Sequence, residues 1–121
     1  MTKCKGSKRH DLEDRTLEFA RKVREFVPML KRTPANIEDG KQLVRSSGSV
    51  GANYIEANEA LSKKDFLMRI KMCRKEAKES PYSLRLVDTH GDAQREQLRE
   101  ALLQEATELT HIFGAIVTKS Q

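Results

Sequence analysis

Arg45-Ser46-Ser47-Gly48-Ser49-Val50-Gly51-Ala52-Asn53-Tyr54-Ile55-Glu56-Ala57 is the stretch whose reading decides the fold. At helical spacing it sets Gly40, Ser47 and Gly51 near one stripe and Val44, Val50, Tyr54 and Ile55 beside it, so small and large apolar residues share a face. Glycine inside a helix costs about 0.5 to 1 kcal/mol relative to alanine, and Gly40, Gly48 and Gly51 all fall within this one. Close approach of neighbouring helices is the simplest compensation, which makes this the central helix of a bundle. The same run carries Arg45, Asn53 and Glu56, polar groups that are costly to bury without partners. Arg45 and Glu56 lie eleven residues apart, about three turns, so they point the same way without touching. A polar seam that fixes helix register is expected, with Lys75 or Arg69 of the following helix pairing with Glu56 and Asn53 bridging to backbone. A ligand site is disfavoured there, because the stretch supplies no further convergent polar groups.

Outward from this helix the apolar period of three and four residues continues in both directions. Before it, Leu12, Phe19, Val23, Phe26, Val27 and Leu30 predict a first helix opened by Asp11, with Glu13 and Asp14 placed against its positive end. Pro28 bends or ends it, Lys31 and Arg32 suit its last turn, and Thr33-Pro34 leads into the second helix, whose inward residues are Ile37, Leu43, Val44, Val50, Tyr54 and Ile55. After it, Ser62 with Asp65 three positions on reads as a cap for a third helix with core residues Phe66, Ile70, Cys73, Ala77, Leu84 and Val87. Ser80-Pro81 predicts a kink or a helix end within it. Gly91 is expected to close this helix and Asp92 to cap a fourth, with Leu98, Leu102, Leu109, Ile112, Phe113 and Ile116 buried. Four long amphipathic helices with short connections predict an all-α, up-down-up-down four-helix bundle over residues 11–121, preceded by a disordered basic arm over residues 1–10.

Composition agrees with this class. The chain has 121 residues, 34% charged and 37% hydrophobic, with no Trp and three Pro, which suits one amphipathic helical domain. No apolar run approaches the roughly 18 residues that span a bilayer and the N-terminus lacks a signal-peptide core, so a cytoplasmic protein without a membrane partner is expected. Cys4 and Cys73 form no metal pattern, and free thiols are expected, with no cofactor. The net charge of +5 is unevenly spread. Lys3, Lys5, Lys8 and Arg9 stand without an acid in the first ten residues, residues 63–85 hold eight bases against Asp65, Glu76 and Glu79, and residues 86–121 hold three bases against six acids. With roughly 100 degrees of rotation per residue, Lys63, Lys64, Lys71, Arg74, Lys75, Lys78 and Arg85 fall in one flank of about 120 degrees on the third helix. Such a flank can track phosphates, meet an acidic face of another copy, or simply be solvated.

The run Gln42-Leu43-Val44-Arg45-Ser46-Ser47-Gly48-Ser49-Val50-Gly51-Ala52-Asn53-Tyr54-Ile55-Glu56-Ala57, with Asp65-Phe66, Arg69-Ile70 and Lys75-Glu76-Ala77 after it, resembles the four-helix-bundle proteins encoded in 23S rRNA intervening sequences. It is also similar to the accessory variability proteins of diversity-generating retroelements. The resemblance implies a bacterial basic bundle that assembles as a homopentamer and binds RNA or DNA together with a reverse transcriptase. In related sequences the tyrosine corresponding to Tyr82 is usually followed by Trp and Leu, whereas here Pro81 precedes it and Ser83 stands in place of the Trp.

Catalytic signatures are weak. Gly48-Ser49-Val50-Gly51 lacks the ending of a phosphate-binding loop, and Ser47 stands where a nucleophile elbow needs glycine. His10, His90 and His111 form no metal-ligand pair, so no metal site is expected. Arg85 and His90 resemble the Arg and His of HEPN-family ribonucleases, with Leu86 where that motif prefers a polar residue. The reading favoured is a non-enzymatic bundle that docks nucleic acid or a nucleic-acid enzyme through the basic flank and self-associates through helices two and three, with Gly48 and Ala52 admitting a neighbouring chain and Gly48→Leu disrupting it. A helical ribonuclease using Arg85 and His90, and a purely structural assembly protein, are the alternatives.

Overall fold

A computed structural model describes residues 7–121, with side chains from Asp11 onward. Its elements are α1 (Ser7–Phe26), a single 3-10 turn (Val27–Met29), α2 (Pro34–Asn58), α3 (Lys63–Leu86) and α4 (Ala93–Ser120), with no strand among the described residues. The helices form an all-α four-helix bundle with antiparallel neighbours. Gly51 meets Thr16 across α1 and α2 and Gly40 meets Val27 in the turn after α1, Arg45 and Asn53 meet Glu79 and Arg69 across α2 and α3, and Arg99 meets Leu84 across α3 and α4. Residues 1–6, most of the expected arm and Cys4 with it, lie outside the described residues, and α1 begins at Ser7 rather than Asp11.

Local signals explain most boundaries. Pro28 removes a ladder donor and the chain tightens into the 3-10 turn, closed by the Leu30 amide on Val27 O at 3.1 Å. Thr33 caps α2 by accepting from the Asn36 amide, with Pro34 at the first helical position. Ser62 accepts from the Asp65 amide and Asp92 from the Arg95 amide, so both later caps stand where the sequence puts them. Helix α3 does not end at Pro81 but continues through it, with Ala77 and Leu84 on either side fully buried and holding both turns against the bundle. It then ends at Leu86, not at Gly91, which sits in the connection at φ 72 beside His90 at φ 56. The α3 end is set from outside, since the Arg99 guanidinium of α4 donates to Leu84 O at 3.2 Å and Val87 O at 2.6 Å and satisfies carbonyls that the helix leaves open.

The core runs along the bundle axis through Phe19, Val23, Phe26, Leu43, Val50, Ile70, Leu84, Leu109 and Phe113, with the Tyr54 and Phe113 rings tilted at a centroid distance of 5.7 Å. Of the residues expected inside it, Ile37 and Ile112 are only half-buried and two are exposed. Ile55 is 52% exposed, because it follows Tyr54 by one position, about 100 degrees round the helix, beyond the arc that α1 and α3 cover. Leu98 is 37% exposed, at the edge of a gap between α1 and α4.

The small residues of α2 are divided between its neighbours. A Cβ on Gly40 would lie 2.9 Å from Val27 Cγ1 and one on Gly51 2.8 Å from Thr16 Oγ1, so this stripe faces α1 and the turn that follows it. Toward α3 the close approach is made by serines, with Ser46 Oγ and Ser80 Oγ hydrogen-bonded at 2.9 Å in the buried interior. Serine fits there because each hydroxyl also has a carbonyl of its own helix within reach, Leu43 O and Glu76 O.

Candidate nucleic-acid interface and polar seam

The polar groups of α2 point at α3 and sort its charges. Arg45 donates to Glu79 Oε1 at 3.0 Å and lies 3.3 Å from Glu76 Oε1, a contact without hydrogen-bond alignment on a carboxylate that is buried. Further along, Arg69 donates to Asn53 Oδ1 at 3.0 Å while the Asn53 amide donates to Ser49 O at 2.9 Å. Arg45, Asn53 and Arg69 thus lie on one seam. Glu56 does not join it; it is exposed and pairs with neither Lys75 nor Arg69. Arg69 is already engaged by Asn53, and Lys75 faces Glu79 of its own helix at 3.9 Å.

The seam leaves α3 lopsided. Its acids Glu76 and Glu79 turn toward Arg45, while Lys63, Lys64, Lys71, Lys78 and Arg85 are exposed on the other flank and Arg74 is half-buried there. None of these six forms an ion pair among the described residues; Lys75, the seventh, shares only the long contact with Glu79. The Arg74 stem passes over Gly114 of α4, where an added Cβ would meet Arg74 Cδ at 3.8 Å, and Arg85 borders a shallow cleft with Glu100, Leu103 and Thr107. The flank therefore leans toward α4 and projects its nitrogens into solvent.

The remaining candidates are placed apart. His90 is not among the residues of the Arg85 cleft; its amide donates to Asp88 Oδ1 at 2.7 Å and its Nε2 lies 3.7 Å from Asp88 Oδ2. Gly48 is half-buried and faces the chain's own α1, where an added Cβ would stand 3.1 Å from Nη2 at the end of the exposed Arg24 side chain. Ala52 is exposed. Burial pushes the Cys73 thiol up to about 12, which leaves it protonated and inert at neutral pH. No His, Cys, Asp and Glu grouping could hold a metal ion among the described residues, and no helix there is long and apolar enough to cross a membrane.

Sequence reasoning missed the polar cluster at the α3–α4 connection. Asn36 is buried; its amide donates to Lys31 O and Asp88 O, both at 3.0 Å, and its Oδ1 accepts from the Asp88 amide at 2.8 Å. Beside it Thr89 is buried with its hydroxyl on Glu96, whose carboxylate also takes Arg99. The hydrogen bond from Thr89, followed by the Arg99 guanidinium, holds the Glu96 carboxyl below the usual range. The available signal was a buried-side asparagine two positions after Pro34, which reads equally well as a cap.

No curated protein matches the chain. Among solved structures it is similar to a protein of unknown function from the S23 ribosomal protein family of Bacteroides thetaiotaomicron, at 32% identity and a TM-score of 0.78, over 92% of this chain and 98% of that one. Residues 8–115, which hold nearly all of the helical bundle, match the family described as 23S rRNA-intervening sequence protein, and the chain is a member of that family.

Proposed function

We propose that the protein is a non-enzymatic, self-associating bundle that docks nucleic acid on the basic flank of α3. The observation that carries this reading is the sorting of charge on α3, where both acids near the flank are turned to Arg45 and six bases are left without an ion partner among the described residues. Bases held this way are free to displace counterions from a phosphate backbone, which gives affinity without sequence preference. The flank carries no run of aromatic residues on which successive bases could stack, since Tyr82 is a single exposed ring beside it and the whole chain is only 5% aromatic. Binding is therefore backbone-directed and salt-sensitive. Titrating a short duplex of arbitrary sequence at low and moderate salt tests this. The variant Lys63→Glu/Lys78→Glu/Arg85→Glu should bind more weakly and show a flatter salt slope, by about 0.9 per lost phosphate contact on B-form DNA. Equal affinity and slope for variant and parent would reject the flank as the docking surface.

A further inference from the structure

The bundle is not closed evenly. Between α1 and α4 runs a groove of about 750 Å³, floored by Phe19, Phe26, Leu98 and Leu102. Its rim is acidic, with Asp11, Asp14, Glu18, Glu25 and Glu105 against Arg15 and Lys22. Glu105 is spent on Arg15, which donates to both of its oxygens and to Glu108, and Glu18 lies 4.0 Å from Lys22. Asp11, Asp14 and Glu25 have no ion partner among the described residues and remain as a free negative edge.

The complementary surface is on the same chain, on the far side of the bundle. Met68, Met72, Tyr82 and Leu86 are all exposed on α3, Tyr82 at 68%. By helical rotation they occupy an arc of about 80 degrees that also holds Glu79, which is answered by Arg45 and Lys75; Lys64, Lys71 and Lys75 lie along one edge of it, while Lys63, Arg74, Lys78 and Arg85 lie further round toward α4. Met68 and Leu86 are roughly 27 Å apart along the helix, and the groove follows α1 from Asp11 to Met29 over roughly the same length. An apolar strip with three lysines along one edge, its Glu79 already offset by Arg45, thus matches an apolar floor edged with free carboxylates in length, hydropathy and net charge sign.

We infer that the α1–α4 groove is the socket for the α3 strip of a second copy of this chain. The two surfaces differ, so the contact is head-to-tail and each copy both offers a strip and receives one. This rests on the self-association proposed above, and it replaces Gly48 and Ala52 of α2 as the contact surface. It also divides the labour of the basic flank: Lys64, Lys71 and Lys75 are used in assembly, and the bases nearer α4 stay open to phosphates.

Charge reversal on each surface, read by light scattering at micromolar concentration, tests the pairing. Asp11→Lys/Asp14→Lys/Glu25→Lys reverses the socket and Lys64→Glu/Lys71→Glu/Lys75→Glu reverses the strip. Each set alone should weaken association at least tenfold and drive the mass toward the 13.8 kDa of the single chain, with the helical circular-dichroism signal retained. Both sets in one chain should restore the parent mass, since the complementary signs are then re-made in reverse. A parent that is itself monomeric would overturn the self-association reading. An assembled parent whose two reversals leave the mass unchanged, or whose combined reversal fails to recover it while remaining helical, would overturn this pairing alone.

Discussion

Gly51→Ala should destabilise the bundle, although helix propensity alone argues for the opposite sign. Alanine is favoured over glycine in a helix interior by about 0.5 to 1 kcal/mol. Here the added Cβ would stand 2.8 Å from Thr16 Oγ1 and 3.2 Å from Thr16 Cβ. Thr16 cannot swing aside cheaply, since it is buried and its hydroxyl is held against Leu12 O at 2.8 Å and Glu13 O at 3.1 Å. Relief requires α1 and α2 to separate, an overpacking cost of about 1 to 3 kcal/mol. The balance is a net loss of about 0.5 to 2 kcal/mol, seen as a lower urea midpoint at unchanged m. Gly114→Ala is the control. Its Cβ would meet nothing closer than Arg74 Cδ at 3.8 Å, so it should keep the propensity gain and raise the midpoint. Because association would shift both midpoints, all variants are compared at one protein concentration. In Thr16→Ala the obstructing hydroxyl is gone, and Gly51→Ala on that background should cost less, a coupling that a double-mutant cycle measures. If Gly51→Ala raised the midpoint as Gly114→Ala does, close approach of α1 would not be the reason glycine stands in α2.

Two further outcomes are expected beside the binding and reversal experiments. Asn36→Ala should lower stability by about 1 to 3 kcal/mol in urea unfolding, because it leaves the Asp88 amide and the part-buried Lys31 and Asp88 carbonyls without their partner. Glu96 is held ionised below its ordinary range, so its contribution is present at neutral pH and is lost as pH falls through its lowered value; the stability gap between parent and Glu96→Gln should narrow on the acid side of the ordinary glutamate range in an acid unfolding series.

The bundle was legible because periodicity and caps are local. Thr33, Ser62 and Asp92 each sit one residue before the helix they cap, and the apolar stripes need only the 3.6-residue repeat to be seen. What was not legible depends on a neighbour. The end of α3 at Leu86 is fixed by Arg99, more than ten positions on, and no rule about Gly91 contains that residue. Ile55 and Leu98 are apolar residues on the margins of their stripes, and whether a margin is covered depends on how far apart two other helices stand. The seam was half visible: the run in α2 announces Arg45 and Asn53, but which acid or base answers them is decided by the α2–α3 register, and that register gave Arg45 to Glu79 and Arg69 to Asn53, leaving Glu56 outside.

The same register explains why a modest ion-pair set matters to the surface more than to stability. Arg45 and Glu79 are both substantially exposed, and such pairs are worth at most about 1 kcal/mol once solvent screening is counted. Their effect on the field is larger in consequence. Glu76 and Glu79 lie on α3 beside a flank of seven bases, and left unpaired they would cancel part of its positive potential at the range where phosphates are felt, about a Debye length of 8 Å in physiological salt. By placing one guanidinium from α2 between them, the fold offsets one of these two charges on the side away from the flank. Helix α3 therefore presents a potential more positive than its own sequence contains, and the residue responsible, Arg45, belongs to the helix whose small residues brought α2 and α3 close enough for it to reach.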